Sequence, residues 1–273
     1  MREITSRQNA LVSEYRALAR RRQPHATSVL LEGAHLVEEG LQAGVPVRSA
    51  AITRALLGQP AIEDLAGRLH RAGADVAVVT DAVMKAMSPT PSPSGLIALA
   101  DIEPVPLDRA FAGAPQLVLL LFDVQDPGNA GAIVRSAEAF DATSVVFCGA
   151  SVDPFGWKAL RGAMGSAFRL PVVRGADGAA AVAAARAAEL WVMATVPAGG
   201  HDVAETDLTR PLACLFGGEG RGLDPSLVAT ADETVSIPMA RPVESLNVAV
   251  ATAILSWEAH RQRALQRDRG RHA

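Results

Sequence analysis

Leu117-Val-Leu-Leu-Leu-Phe122 is a run of six apolar residues with no alternation of polar and apolar positions. A run this short cannot cross a bilayer, which takes about 20 residues, and without a period of two it does not describe a half-solvated strand. It fits a strand covered on both faces, as in a parallel sheet with helices packed above and below. Five more runs follow, at Ser144–Phe147, Leu170–Val173, Leu190–Thr195, Leu212–Phe216 and Thr234–Ile237. Stretches with helical apolar spacing separate them, at 130–140, 159–164, 176–188 and 225–231, and a long one from about 244 to 266 follows the last strand. This half of the chain is therefore predicted to be an α/β domain on a buried parallel sheet.

The first hundred residues alternate on a smaller scale. An Arg-faced helix is predicted over 6–22, with Leu11, Tyr15 and Leu18 on one side. Strands are predicted at 28–31, 50–53, 76–79 and 96–99, with helices at 34–43, 62–71 and 82–87 between them. Ser88-Pro-Thr-Pro-Ser-Pro-Ser-Gly95 holds too much proline for a helix or a central strand and reads as a rigid loop. Proline-rich segments at 103–106 and 112–115 flank a short connector. The expected division is an N-terminal α/β domain at 1–102, a linker at 103–115 and a second domain at 116–273.

A net charge of −3 excludes a uniformly basic surface, so any nucleic-acid contact must come from local patches. Two exist. Residues 1–27 hold Arg2, Arg7, Arg16, Arg20, Arg21 and Arg22 against Glu3 and Glu14, and the final helix region holds Arg261, Arg263, Arg267, Arg269 and Arg271 against Glu258 and Asp268. Arginine is the better planar donor to phosphate, although a coding bias accounts equally well for a chain whose only lysines are Lys85 and Lys158. Cys148 and Cys214 lie in apolar runs without metal-ligand spacing and read as core thiols of a reducing compartment. The six histidines show no ligand spacing, so no metal is expected, and no targeting or membrane segment is evident, so a cytoplasmic location is expected.

Three loops beside these strands carry the polar chemistry. In Asp126-Pro-Gly-Asn-Ala-Gly131, Asn129 is placed to cap the next helix, and Arg135 on that helix is expected on its buried side, where it wants an anion. Gly217-Gly-Glu-Gly-Arg-Gly222 has neither a phosphate-loop lysine nor dinucleotide spacing. An acid between glycines instead suits a cationic ligand approached closely by backbone. Ser245 and Asn247 sit at the start of the last helix, where each serves equally well as a cap or as a site residue.

Taken together, Asp126 to Ala137, Leu215 to Leu223, and Ile237-Pro-Met239 with Ser245-Leu-Asn247 resemble the three motifs of the SpoU, or TrmH, branch of the SPOUT methyltransferases. The segment from Lys158 to Gly165 is similar to a fourth family pattern, with Ala163 where many members carry serine. Ser6-Arg-Gln-Asn9, Arg20–Arg22 and Leu31–Glu38 give the first domain the look of the substrate-binding module that precedes many such catalytic domains. The resemblance implies a C-terminal SPOUT fold whose chain is threaded into a trefoil knot, preceded by a small α/β RNA-binding domain. It implies a homodimer that holds S-adenosylmethionine and methylates a ribose 2′-oxygen of RNA. Ribosomal RNA is the implied substrate, with transfer RNA, or a non-catalytic RNA-binding member of the same fold, as the alternatives. By the same resemblance Asn129, Arg135, Glu219, Ser245 and Asn247 order the reacting groups. Thr195, Val196, Pro197, Phe216, Gly217, Gly218, Gly220, Ile237, Met239, Ser245 and Leu246 hold the cofactor. Arg7, Asn9, Arg20, Arg21, Arg22, Ser88 and Thr90 are expected to meet RNA. The proton acceptor is open between a substrate phosphate and Glu219, because a guanidinium with a pKa above about 12 is a poor base.

Overall fold

The structure, a computed structural model, describes residues 1–20, 27–114 and 116–271. In chain order the first elements are β1 (Arg2–Ile4), α1 (Ala10–Ala19), β2 (Ser28–Glu32), α2 (Ala34–Gln42), β3 (Val47–Thr53), α3 (Arg54–Leu57), α4 (Pro60–Arg71), β4 (Asp75–Val79), α5 (Asp81–Met87) and β5 (Leu96–Asp101). They are followed by β6 (Leu117–Phe122), α6 (Pro127–Ala139), β7 (Ser144–Cys148), α7 (Trp157–Ala163), β8 (Val172–Ala176) and α8 (Gly178–Ala187). The last are β9 (Trp191–Thr195), β10 (His201–Asp202), β11 (Leu212–Gly217), α9 (Pro225–Val228), β12 (Glu233–Ser236) and α10 (Val248–Arg271). The chain forms two compact units, one of Met1–Pro104 with Phe155–Phe168, the other of Val105–Pro154 with Arg169–Ala273.

The first unit is built on a mixed sheet of order β1-β4-β3-β5-β2, in which β5 runs antiparallel to β3 and β2. Side chains alternate across a strand. Leu30 therefore joins Val12, Tyr15, Met84 and Met87 of α1 and α5 in one buried cluster, while its neighbour Leu31 packs on Gly40 of α2. The buried Tyr15 hydroxyl donates to the Ser49 carbonyl at 3.0 Å. A strand, not the predicted helix, opens the chain. β1 has only three residues, too few to show a period, and α1 begins at Ala10 because the Asn9 side chain caps it there.

β2 is an edge strand, and an open edge exposes unpaired backbone groups. Residues 155–168 cover it. Trp157 of α7 packs against the α1/α5 cluster, and at the far end Phe168 lies against Gly40 and Gly165 against Glu39. The helix expected at 159–164 thus exists, but it packs with the first unit rather than on the second sheet. Ala159, Leu160 and Ala163 give it one buried face, and a local period does not say against which sheet that face will lie.

The second unit carries a seven-stranded sheet of order β10-β12-β9-β11-β6-β7-β8, with every neighbouring pair parallel. Leu117 to Leu121 are fully buried, each such side chain contributing about 1.5–3 kcal/mol. The six predicted runs all form strands; the two-residue β10 gave no pattern to read. Residues 107–111, placed in the expected linker, form a 3-10 turn whose Ala110 and Phe111 enter the core of this unit, so the chain there is anchored. α10 starts four residues later than the predicted 244, at Val248. Arg263, read from sequence as part of a basic tail, donates instead to the carbonyls of Leu208, Gln116 and Arg210, and Arg261 pairs with Glu258.

Candidate functional site

The second sheet reverses direction at β6, with β7 and β8 on one side and β11 and β9 on the other. In open parallel sheets, ligand crevices lie beyond the carboxyl ends of strands at such a switch point. The loops that leave β6, β9, β11 and β12 all end there. Asp126, not Asn129, caps α6: its Oδ1 accepts the Asn129 N–H at 2.9 Å, with Pro127 in the first helical position. Asn129 is thereby freed of the capping role expected of it. Its Nδ2 donates to Glu219 Oε1 at 2.5 Å, and its Oδ1 accepts from Asn247 Nδ2 at 3.1 Å. Asn247 is the cap of α10, its Oδ1 accepting the Ala249 N–H at 2.9 Å.

These contacts fix both amide orientations. With Asn247 Oδ1 committed to backbone N–H groups, its nitrogen must donate to Asn129, which must in turn donate to the carboxylate. Glu219 Oε2 accepts the Gln125 N–H at 3.0 Å. Burial pushes the Glu219 pKa up, but the donors from Gln125 and Asn129 outweigh it and hold the carboxyl below the ordinary glutamate value. Glu219 is an ionised acceptor at the end of a one-way chain of donors.

The loop that presents Glu219 is shaped by its own backbone. A side chain on Gly218 would lie 2.0 Å from the Asp123 carbonyl oxygen, and one on Gly217 would lie 2.1 Å from Gly222 backbone. The first two glycines are therefore required by strand-to-loop crossing. Gly220, at φ +94°, faces open space. Thr195 Oγ1 donates to the Leu215 carbonyl at 2.8 Å, tying the end of β9 to β11.

A cavity of about 500 Å³ opens at these loops. Thr195, Val196, Pro197, Phe216, Gly217, Gly218, Gly220, Ile237, Met239, Ser245 and Leu246 all line it, together with Glu219 and Asn247. Asn129 and Arg135 do not. Arg135 is exposed on α6, a departure from the expected buried position, and has no ion-pair partner among the described residues. Ser245 makes no cap contact among the described residues. Sequence reasoning missed the apolar lining from Val203, Leu223, Val228, Val235, Ala251 and Leu255, and also Arg221. Val203 follows the two-residue β10, and Ala251 and Leu255 read simply as the inner stripe of a helix, so no local signal marked them.

The profile of the SpoU rRNA Methylase family matches residues 116–257, and that of the MRM3-like substrate binding domain matches residues 9–98. The chain belongs to the SpoU family. Among SpoU relatives, the 23S rRNA (guanosine(2553)-2′-O)-methyltransferase of Bacillus subtilis is 31% identical over 94% of this chain and 98% of its own. The 23S rRNA (uridine(2479)-2′-O)-methyltransferase of Streptomyces viridochromogenes is 32% identical over 96% and 93%. The crystal structure of an AdoMet-bound rRNA methyltransferase from Sinorhizobium meliloti matches with a TM-score of 0.85 at 30% identity, covering 95% of this chain and 97% of that one. The cavity lies wholly within the SpoU-matched residues.

The candidate RNA residues belong to the first unit. Arg7 and Arg20 are exposed. Asn9 Oδ1 is taken up by the Leu11 N–H at 3.0 Å. Ser88 donates to Glu32 Oε2 at 3.0 Å and sits 3.1 Å from the Thr90 hydroxyl; Ser94 donates twice to the same carboxylate, so Glu32 organises the proline-rich loop from within. Arg21 and Arg22 lie outside the described residues. No helix among the described residues is long and apolar enough to cross a membrane.

Proposed function

We propose that this SpoU protein is an S-adenosylmethionine-dependent RNA 2′-O-ribose methyltransferase acting on large-subunit ribosomal RNA in the cytoplasm. The observation that carries the reading is the Asn247–Asn129–Glu219 chain at the mouth of the cavity. The cofactor fits the residues present. The volume is in the range of small-molecule sites, about 300–1,000 Å³, the walls from Val203, Leu223, Val228 and Leu255 suit a flat base, and the ionised Glu219 tolerates a cationic centre. When bound, the cofactor supplies an activated methyl for in-line transfer to a nucleophilic oxygen. Glu219 and Asn247 hold the Asn129 amide in one orientation, and Asn129 orders the reacting end. Glu219, with both oxygens engaged and its pKa lowered, positions Asn129, and the hydroxyl proton passes to a phosphate oxygen of the RNA. Arg135, exposed and unpaired, anchors a substrate phosphate beside the ribose and lowers the pKa of its hydroxyl. Ribosomal rather than transfer RNA is favoured by full-length relatives named as 23S rRNA enzymes.

We also infer a homodimer joined along α10. Val250, Trp257 and Leu265 are each about half exposed and recur every two turns, forming one apolar stripe on a helix whose other side packs on α6. The chain beyond β12 is, in this reading, threaded as the trefoil knot of the SPOUT fold. The decisive assay uses labelled S-adenosylmethionine and an unmodified 23S rRNA transcript. Expected are methyl incorporation and an alkali-resistant linkage at one nucleotide. R135A should keep cofactor affinity by calorimetry and lose transfer. Incorporation into no RNA, ribosomal or transfer, overturns the enzyme reading.

A further inference from the structure

The first unit is electrically two-sided. Helices α2 and α4 carry Glu38, Glu39, Glu63 and Asp64, and Arg68 there is neutralised by Glu38 and Asp64 at 2.6 and 2.9 Å. Cations on β3, α3 and β1 are also paired, Arg48 with Glu14 and Asp101, Arg54 with Glu3, and Arg2 with Asp75. The layer of α1, α5 and α7 differs. Arg16, Arg20, Lys85, Lys158 and Arg161 have no acidic partner among the described residues. Arg16 Nε donates to the Ala86 carbonyl at 3.3 Å, which ties α1 to α5, and Lys158 lies 5.7 Å over the Trp157 ring. Trp157 is in turn seated on the α1/α5 cluster, so the cations of α7 join the same layer as those of α1 and α5.

We propose that this layer is a phosphate-gripping face for the RNA, and that Lys158 and Arg161, brought to it by the inserted segment 155–168, are part of the grip. The proposal rests on the RNA methyltransferase reading and deepens it. Five unpaired cations on one layer repel one another; an RNA backbone relieves that repulsion with release of counterions, and contacts of this kind fix position without reading sequence. Lys158 and Arg161 stand one helical turn apart, so their side chains share a face of α7. Because α7 belongs to the SpoU-matched half of the sequence but to the first unit in space, the two halves of the chain build this surface jointly.

The test is RNA affinity against salt, using the full-length chain and an unmodified 23S rRNA transcript. K158Q/R161Q should weaken binding about tenfold at low salt and flatten the slope of log affinity on log salt by about 1.5, two phosphate contacts' worth. Cofactor affinity should not change. R71Q on α4 should leave the slope as it is. Should K158Q/R161Q fail to fold, R20Q/K85Q probes the same layer with the same expected change. Wild-type binding with an unaltered slope in the folded variant overturns this proposal and leaves the enzyme reading standing. A wild-type protein that binds no RNA overturns both.

Discussion

Glu219 receives a backbone N–H on one oxygen and an amide on the other, and this decides what it can do at neutral pH. Its lowered pKa means that the ionised form is present throughout the range above the ordinary glutamate value, and the hydrogen-bonded arrangement is lost only as pH falls through the depressed value. Rates measured between pH 6 and 9 should accordingly show no inflection that E219Q removes. E219Q should instead lower kcat by about 10²-fold at every pH in that window, through a misplaced Asn129. An inflection abolished by E219Q would make Glu219 the base. Gly218→Ala is a backbone matter: the added carbon meets the Asp123 carbonyl at 2.0 Å, so destabilisation of about 3 kcal/mol or more is expected in denaturant unfolding. The three polar corners were conspicuous in the sequence, but it was the resemblance to the SpoU branch that grouped Asn129, Glu219 and Asn247, together with Arg135 and Ser245. Sequence alone misassigned the cap, since Asp126 and Asn129 are both good caps and the signal that separates them, Pro127 directly after Asp126 and suited to the first helical position, went unused. It also placed Arg135 inward, since small neighbours do not tell which flank of a helix is covered.

Among the elements, the long strands were legible and the short ones were not. β6 and β11 carry no polar side chain to confuse the pattern and β7 only its opening Ser144, whereas β1, with Ile4 as its one buried residue, and the two-residue β10 are too short to show a period. α10 was legible as a helix, with its start displaced because Asn247 rather than Glu244 satisfies the first free N–H groups. Its outer stripe makes a prediction of its own. Trp257→Glu puts a charge in the middle of Val250 and Leu265, so light scattering should show a wild-type dimer and a largely monomeric variant with unchanged helix content. A wild-type monomer at micromolar concentration would remove the stripe's assigned purpose.

For the molecule as a whole, alkaline pH is the exposed flank. Burial pushes Cys148 and Cys214 up to about 12 and carries the Tyr15 hydroxyl higher still, one from the first unit and two from the second. In the unfolded chain these groups ionise near 8.5 and 10. Between those values and the folded ones the unfolded state sheds protons that the folded state keeps, so stability must fall as pH rises. The melting temperature should hold from pH 7 to 8 and drop from about pH 9 upward. Y15F should soften the drop while costing about 1 kcal/mol at neutral pH through its lost hydrogen bond to Ser49. A melting temperature indifferent to pH up to 11 would contradict this account.

The segment 155–168 also sets an order of events during synthesis. Among the described residues of 1–104 none lies on the β2 edge as 155–168 does, so this stretch leaves the ribosome with that edge bare. The seal is encoded beyond two strands of the other unit, so the N-terminal half waits, sticky, until Phe168 has emerged. Gene fragments that stop near residue 104 inherit that raw edge permanently. They should collect in inclusion bodies, even though the sequence up to that point reads as a finished domain.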